Sequence, residues 1–272
     1  MSALTLTLRE APRFRVDCSP LTPDRLAGLS AADIEAIELA SGNARLRAGE
    51  LFEIGHGDAG DMLIEGDCAK LDCIGAGMGG GRLRVVGDAG DYLGVSMSGG
   101  RIELAGSAGS HCACAMSGGT VDVKGSVGDF LGGALPGELQ GMRGGLVRVG
   151  GGAGERAGDR MRRGMLLVEG DAGDCCASRM AAGTLAVLGR AGADPGFGMV
   201  RGTLLVRELR GGLLPTFNDC GIHELGFLSL LLHSWKDLPG AYGRLPPDAI
   251  RVRRHVGDLA NGGKGEILVW QP

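Results

Sequence analysis

Aromatic residues are scarce in this 272-residue chain: Phe, Trp and Tyr together make up 4%. Any core must therefore be assembled from thin aliphatic layers of Val, Leu, Ile and Ala. No run of 18 or more apolar residues is present, so nothing suggests a membrane-spanning helix. The N-terminus, MSALTLTLREAPRF, lacks the basic and apolar regions of a secretory signal. The eight cysteines are accordingly expected to stay reduced in the cytoplasm. A formal charge of −4 leaves no general nucleic-acid footprint. Glycine does not recur at every third position, which excludes collagen, yet 53 glycines make about a fifth of the chain. With 44% hydrophobic residues, this is no disordered glycine linker.

The glycines are periodic. Methionines stand at Met78, Met97, Met116, Met142, Met161, Met180 and Met199, every 19 residues except for one interval of 26. With each Met counted as position 1, position 4 is glycine from Gly81 to Gly202. Position 10 is glycine from Gly87 to Gly189, and position 13 from Gly90 to Gly192. Positions 6 and 8 are aliphatic throughout, from Leu83 and Val85 to Leu204 and Val206, and position 12 is Ala or Val. Such alternation bounded by glycine reads as a short strand with one buried face. The unit is too short for a strand plus crossover helix, whose crossover alone takes at least about ten residues. The predicted fold is all-β: a parallel β-helix solenoid of about seven to nine rungs. Stacked at about 4.8 Å, these give a rod of roughly 35–45 Å.

Weaker copies precede the run. GELFEIGHGDAG (Gly49–Gly60) matches the strand and corner, and GDMLIEGDCAKLDCIGAG (Gly60–Gly77) matches with about two extra residues. The long interval places its seven extra residues in GGALPGELQG (Gly132–Gly141), a loop leaving the rod. Residues 1–48 read as an N-terminal cap, a short strand followed by a helix over Ala31–Ala40. Its start, Ser30 to Asp33, resembles a capping box. Residues 49–210 carry the repeats, and 211–272 form an irregular C-terminal cap. In that cap GFLSLLLHSWKDL (Gly226–Leu238) is expected to lie against the rod end, because an open terminal rung is an unpaired edge. The whole is expected to be one structural domain.

Few residues suggest chemistry. GAGMGGG contains G-x-G-x-x-G at Gly75, Gly77 and Gly80, but a strand follows it, whereas a dinucleotide fingerprint opens a helix. Cys112 and Cys176 fall at position 16, which holds Leu93 and Leu131 elsewhere, and so read as small core residues. Cys112-Ala-Cys114 lacks the ligand spacing of zinc or ferredoxin sites. Cys175-Cys176 leaves an oxidation-prone vicinal pair open. The histidines are scattered, and Asp88, Asp91, Asp129, Asp171 and Asp174 read as solvated corner residues rather than calcium ligands. Arginine is concentrated at Arg143, Arg148, Arg156, Arg160, Arg162 and Arg163. The register puts Arg143, Arg162, Arg163 and Arg201 on one corner, where guanidinium groups can grip carboxylates. The alternatives are a solvated face balanced by Glu155, Asp159 and Glu169, or a docking surface for a partner protein or anionic ligand.

The glycine repeats resemble the GXGXG domain at the C-terminus of the glutamate synthase large subunit. The entry LRAGELFEIGHGDAG (Leu46–Gly60) and exit HVGDLANGGKGEILV (His255–Val269) are similar to those of the C subunit of formylmethanofuran dehydrogenase. That resemblance covers about residues 25–270. It implies a right-handed β-helix acting as a non-catalytic scaffold for A-, B- and D-type subunits. Catalysis then belongs to an amidohydrolase-like A-type subunit and a D-type formyltransferase. Two assemblies are implied as alternatives: a tungsten or molybdenum dehydrogenase, or the bacterial formyltransferase/hydrolase complex. The latter moves a formyl group from tetrahydromethanopterin to a methanofuran analogue (methylofuran) and hydrolyses it to formate. The Ala-, Arg- and Gly-rich composition leans towards the bacterial complex. The analogue carries a glutamate-rich tail, which Arg143, Arg162, Arg163 and Arg201 are candidates to dock. A free-standing β-helix enzyme acting on carbohydrate or acyl groups is the rival of another class. A chain supplying a glutamate-synthase-like domain in trans is a third.

Overall fold

The computed structural model describes residues 2–246 and 250–271. The chain opens with β1 (Ala3–Leu8), β2 (Val16–Asp17) and two short helices, α1 (Pro23–Leu26) and α2 (Ala31–Glu35). A hairpin of β3 (Glu38–Ser41) and β4 (Ala44–Arg47) leads through α3 (Ala48–Leu51) to β5 (Phe52–Ile54). Next come β6 (Asp58–Glu65), β7 (Leu71–Asp72) and the periodic strands β8 (Arg82–Val86), β9 (Arg101–Leu104) and β10 (Thr120–Val123). These continue as β11 (Arg143–Val149), β12 (Arg163–Val168), β13 (Thr184–Ala191) and β14 (Thr203–Leu209). The C-terminal part comprises β15 (Asn218–Glu224), α4 (Gly226–Trp235), β16 (Arg251–Gly257) and β17 (Gly265–Trp270).

The fold is dominated by strands. One 13-stranded sheet runs β15-β16-β17-β14-β13-β12-β11-β10-β9-β8-β6-β1-β5, and β4-β3-β2-β7 form a small second sheet. From β6 to β14 every pairing in the large sheet is parallel and in the register of the repeat: Val121 lies opposite both Ile102 and Val147. A second row of parallel bridges joins position 12, running Ala89, Ala108, Val127, Ala153, Ala172, Ala191. A third row alternates direction. His111 N–H donates onward to Asp129 O at 2.7 Å, and Ala113 N–H donates back to Leu93 O at 2.7 Å. Between the rows lies one core in which all seven periodic methionines are fully buried, with the aliphatic residues of positions 6 and 8. Few aromatics suffice because each layer is thin.

The third row is unusual. Tyr92, His111 and Phe130, all at position 15, have φ of 64°, 63° and 60°. A left-handed conformation costs a side-chain-bearing residue about 1–2 kcal/mol. Their rings stack at centroid distances of 4.8 and 5.0 Å, which offsets part of that cost.

Several expectations need correction. The Ser30–Asp33 capping box forms, but α2 ends at Glu35; Leu39 is then buried in β3, opposite Leu46 of β4. Residues 1–48 thus hold four strands and only short helices. Gly49–Gly60 is not a stacked repeat: β5 runs antiparallel to β1, and β1 supplies the strand that pairs in parallel with β6. The Gly60–Gly77 copy does stack, since Met62 lies opposite Leu83. The seven-residue excess lies between Gly133 and Gly141, and Met142 N–H closes onto Gly132 O at 2.8 Å.

The apolar segment at 226–238 lies elsewhere than predicted. Helix α4 packs on the outer face of the sheet, where Leu228, Leu232 and Trp235 cover Leu167, Ala186, Leu205 and Leu268 in a second core. Those residues stand at position 7, or level with it on β17, and the earlier repeats hold charge there: Arg84, Glu103, Asp122 and Arg148. The Tyr242 hydroxyl fixes this cover, lying 2.8 Å from Val168 O and 2.7 Å from Ala186 O. The last repeat is instead sealed by β17, parallel to β14, followed by antiparallel β16 and β15.

Candidate functional site

The glycine corners bind their own neighbours. At Gly119 φ is +86°, and a Cβ there would lie 2.8 Å from Gly100 O of the preceding repeat. Gly75 and Gly77 likewise turn the chain with φ of 70° and 66°, and β8 follows them, so no helix N-terminus is present to receive a phosphate. The corner aspartates do more than face solvent. Asp88, Asp91, Asp129, Asp171 and Asp174 each accept the backbone N–H of the equivalent residue one repeat later, at 2.7–2.8 Å. Ser107 and Ser126 continue the row, accepting from Ser126 and Gly152 N–H at 3.1 Å. The N–H of Arg190 holds the Asp171 carboxyl below the usual carboxylate range.

All eight cysteines are free. Burial pushes the Cys112 and Cys176 thiols up to about 12, far from a reactive thiolate. His111 is held between the Tyr92 and Phe130 rings, and burial lowers its pKa. Among the described residues, no three His, Cys, Asp or Glu side chains gather as metal ligands would.

Charge falls into two groups with opposite character. On the outer sheet face, beside the α4 cover, Arg84, Arg101, Glu103, Asp122, Arg148 and Pro239 line a groove of ≈ 530 Å³. Several of its charges pair with one another. Asp122, 5% exposed, accepts from Arg101 at 2.8 Å and from Arg148, and Glu103 takes Arg82 and Arg101 at 2.7 Å. Arg148, one of the six arginines concentrated in sequence, thus belongs to this face and not to the corner that carries Arg143, Arg162, Arg163 and Arg201.

The four corner arginines are different. Arg143 lies opposite Arg163, and the N–H groups of Arg162 and Arg163 both reach Met142 O. Arg201 follows two repeats beyond Arg163, with the uncharged Ala182 between them. All four side chains are exposed, and none forms an ion pair among the described residues. Two of the acids expected to balance them are engaged elsewhere. Asp159 is buried against Ser178 and Arg179, and Glu169 accepts the Ala241 N–H at 2.7 Å. Lys264 was missed. The pairing of Thr203 with Glu266 sets Lys264 level with Arg201, so it extends the basic row by one repeat. The signal was the GGKGE of the exit motif, but the repeat is interrupted by the whole C-terminal excursion before it.

No family model matches the chain. A solved structure does: a chain of the formyltransferase/hydrolase complex (FhcABCD) from Methylorubrum extorquens in complex with methylofuran. The TM-score is 0.91 and the identity 40%, over 98% of this chain and 100% of that one. The chain belongs to the C-subunit family of formylmethanofuran dehydrogenases. Among relatives of known name, the C subunit of the M. extorquens formyltransferase/hydrolase complex Fhc is 42% identical over 89 residues, 33% of this chain and 34% of the relative. The C subunit of a tungsten-containing formylmethanofuran dehydrogenase from Methanococcus maripaludis is 32% identical over 95 residues, 34% of this chain and 35% of the relative. These sequence matches span about a third of the relatives' length.

In this member of the C-subunit family, the exit motif has a local structural cause. Asp258, 2% exposed, accepts the N–H groups of Gly198 and Ala260 at 3.1 Å and the Asn261 amide at 2.9 Å. It pins the returning chain onto the last periodic repeat, so that β17 enters in register.

Proposed function

We propose that the chain is the C subunit of a formyltransferase/hydrolase complex and serves there as a non-catalytic scaffold. The full-length likeness to the FhcABCD chain, at 40% identity, carries this reading. The hydrolase assembly is favoured over the tungsten or molybdenum dehydrogenases because, over similar lengths, the Fhc C subunit is 42% identical to this chain and theirs are 32% and 37%. In such a complex the A-, B- and D-type subunits transfer a formyl group from tetrahydromethanopterin to methylofuran and release formate. A right-handed parallel β-helix of about seven to nine rungs supplies the stiffness. Three rows of hydrogen bonds and a continuous core support that architecture. Residues 49–210 form its body, with caps before and after. Eight free thiols suit the reducing cytoplasm. The exposed guanidinium groups of Arg143, Arg162, Arg163 and Arg201 offer bidentate contacts to carboxylates, those of a glutamate tail or of an acidic partner.

Reconstitution tests the scaffold role. The purified chain alone should hydrolyse no formyl-methylofuran, and omitting it should stop A-, B- and D-type subunits from migrating as one species. Formate release by this chain alone would overturn the reading.

A further inference from the structure

The basic row is one part of a larger mixed surface. Its column begins abruptly: the equivalent positions in earlier repeats are Gly79, Gly80, Ser98, Gly99, Ser117 and Gly118, with no charge. From Arg143 to Lys264 the row crosses four strand spacings, roughly 19 Å at about 4.8 Å each. Apolar residues stand exposed along the same edge. Leu139, 77% exposed, tops the seven-residue insertion directly before Arg143. Phe197 at 50% and Val200 at 45% lie in the chain just before Arg201. Leu259 at 48% belongs to the turn that Asp258 pins onto Gly198, beside Val200 and Lys264.

This composition discriminates between occupants. A flexible polyanion needs only the cations, and exposed Leu and Phe add nothing to its binding. Protein interfaces combine the two, with arginine and aromatic residues enriched and apolar side chains removed from water at the centre. The dimension fits as well, since a standard interface covers about 800 Å² per partner, a patch roughly 30 Å across. Scattered apolar residues are ordinary on a surface; a row of them interleaved with unpaired cations is not.

We infer that this edge, from Arg143 to Lys264 with Phe197, Val200 and Leu259 beside it, is the docking face for one protein subunit, whose complementary surface is acidic around an apolar centre. This rests on the chain being part of a hetero-oligomeric complex. Arginine supplies bidentate carboxylate contacts at the rim, and Phe197, Val200 and Leu259 supply the desolvated centre.

The test uses the assembled complex. The chain, tagged, is co-expressed with its A-, B- and D-type subunits, as wild type and as Arg162→Glu/Arg163→Glu/Arg201→Glu/Lys264→Glu. The same is done with Phe197→Ser/Val200→Ser and with a control carrying Arg45→Glu and Arg207→Glu, both exposed elsewhere. Far-UV circular dichroism checks folding. The fourfold reversal should lower retention of one identified subunit by about a hundredfold, the apolar double variant by about tenfold, and the control not at all. Hydrogen exchange on the wild type needs no variant: amides of 197–201 and 259–264 should be protected in the complex relative to the isolated chain. Retention of all subunits by the folded variants, with these amides unprotected, overturns the inference. Loss of methylofuran with every subunit retained also overturns it, in favour of the cofactor tail. A wild-type chain that recovers no partner subunit overturns the inference together with the assembly it rests on, which separates that failure from a misplaced face.

Discussion

Replacing Gly119 by Ala should damage the fold far more than the loss of one flexible residue would suggest. Gly119 has φ of +86°, and an L-residue in that region costs about 1–2 kcal/mol. The new Cβ would also lie 2.8 Å from Gly100 O and 2.9 Å from Gly99 C, both backbone atoms of the preceding repeat. These atoms belong to a ladder, so they cannot yield without parting two strands, and overlap of this kind adds about 1–3 kcal/mol. The expected loss is about 2–5 kcal/mol. Gly80 is the control, because a Cβ there meets nothing within 4 Å and φ lies outside the left-handed region. Gly80→Ala should stay within about 0.5 kcal/mol of wild type. Thermal unfolding followed by far-UV circular dichroism reads both. At about 2–4 °C per kcal/mol for a chain of this size, Gly119→Ala should melt roughly 4–20 °C lower and Gly80→Ala within about 2 °C. A wild-type melting temperature for Gly119→Ala, or equal losses in both variants, would refute the close stacking on which the fold depends.

Three further outcomes follow from particular side chains. Arg253 beside Asp219 holds its carboxyl at about 2, down from 3.8. This depressed value contributes stability that is full above pH 3.8 and lost as the pH falls through about 2, so Asp219→Asn should flatten denaturation midpoints over that range. An aromatic disulfide reagent at pH 8 should label exposed Cys220 in the native protein and reach Cys112 and Cys176 only after denaturant is added; prompt labelling of either buried thiol would contradict their place in the core. Tyr242→Phe should cost about 1–2 kcal/mol in urea denaturation, because its hydroxyl bonds the sheet carbonyls beneath the C-terminal cover. No change there would mean that packing of Trp235 and Leu232 alone holds α4.

Periodicity made the repeats readable because each stacked residue meets its own equivalent. Val121 and Ile102 share a register, so one strand predicts the next. The same logic assigned Cys112 and Cys176 to the core and the glycines to corners. It failed where contacts leave the repeat. Leu39 belongs to a strand because Leu46 lies opposite it, a pairing that no local helix preference reveals. The position of α4 depends on a change at position 7 from Arg84, Glu103 and Asp122 to Leu167, Ala186 and Leu205, a signal present in the sequence but invisible without knowing which face is outward. For the candidate site, the column containing Arg143, Arg162, Arg163 and Arg201 was legible from register alone. Lys264 and the flanking Leu259 were not, because Asp258 carries the chain back to that edge by a tertiary contact. The role of Asp171 and its equivalents was likewise hidden, since a carboxylate that accepts from the next repeat looks in sequence like any corner residue.

The scaffold role is tested most directly by native mass spectrometry of the tagged chain recovered from its own host, with metal analysis of the same sample. An assembly containing an amidohydrolase-like subunit and a formyltransferase subunit, with zinc and without tungsten or molybdenum, is the predicted result. Recovery of the chain by itself, with no partner subunit at any salt concentration, would contradict it.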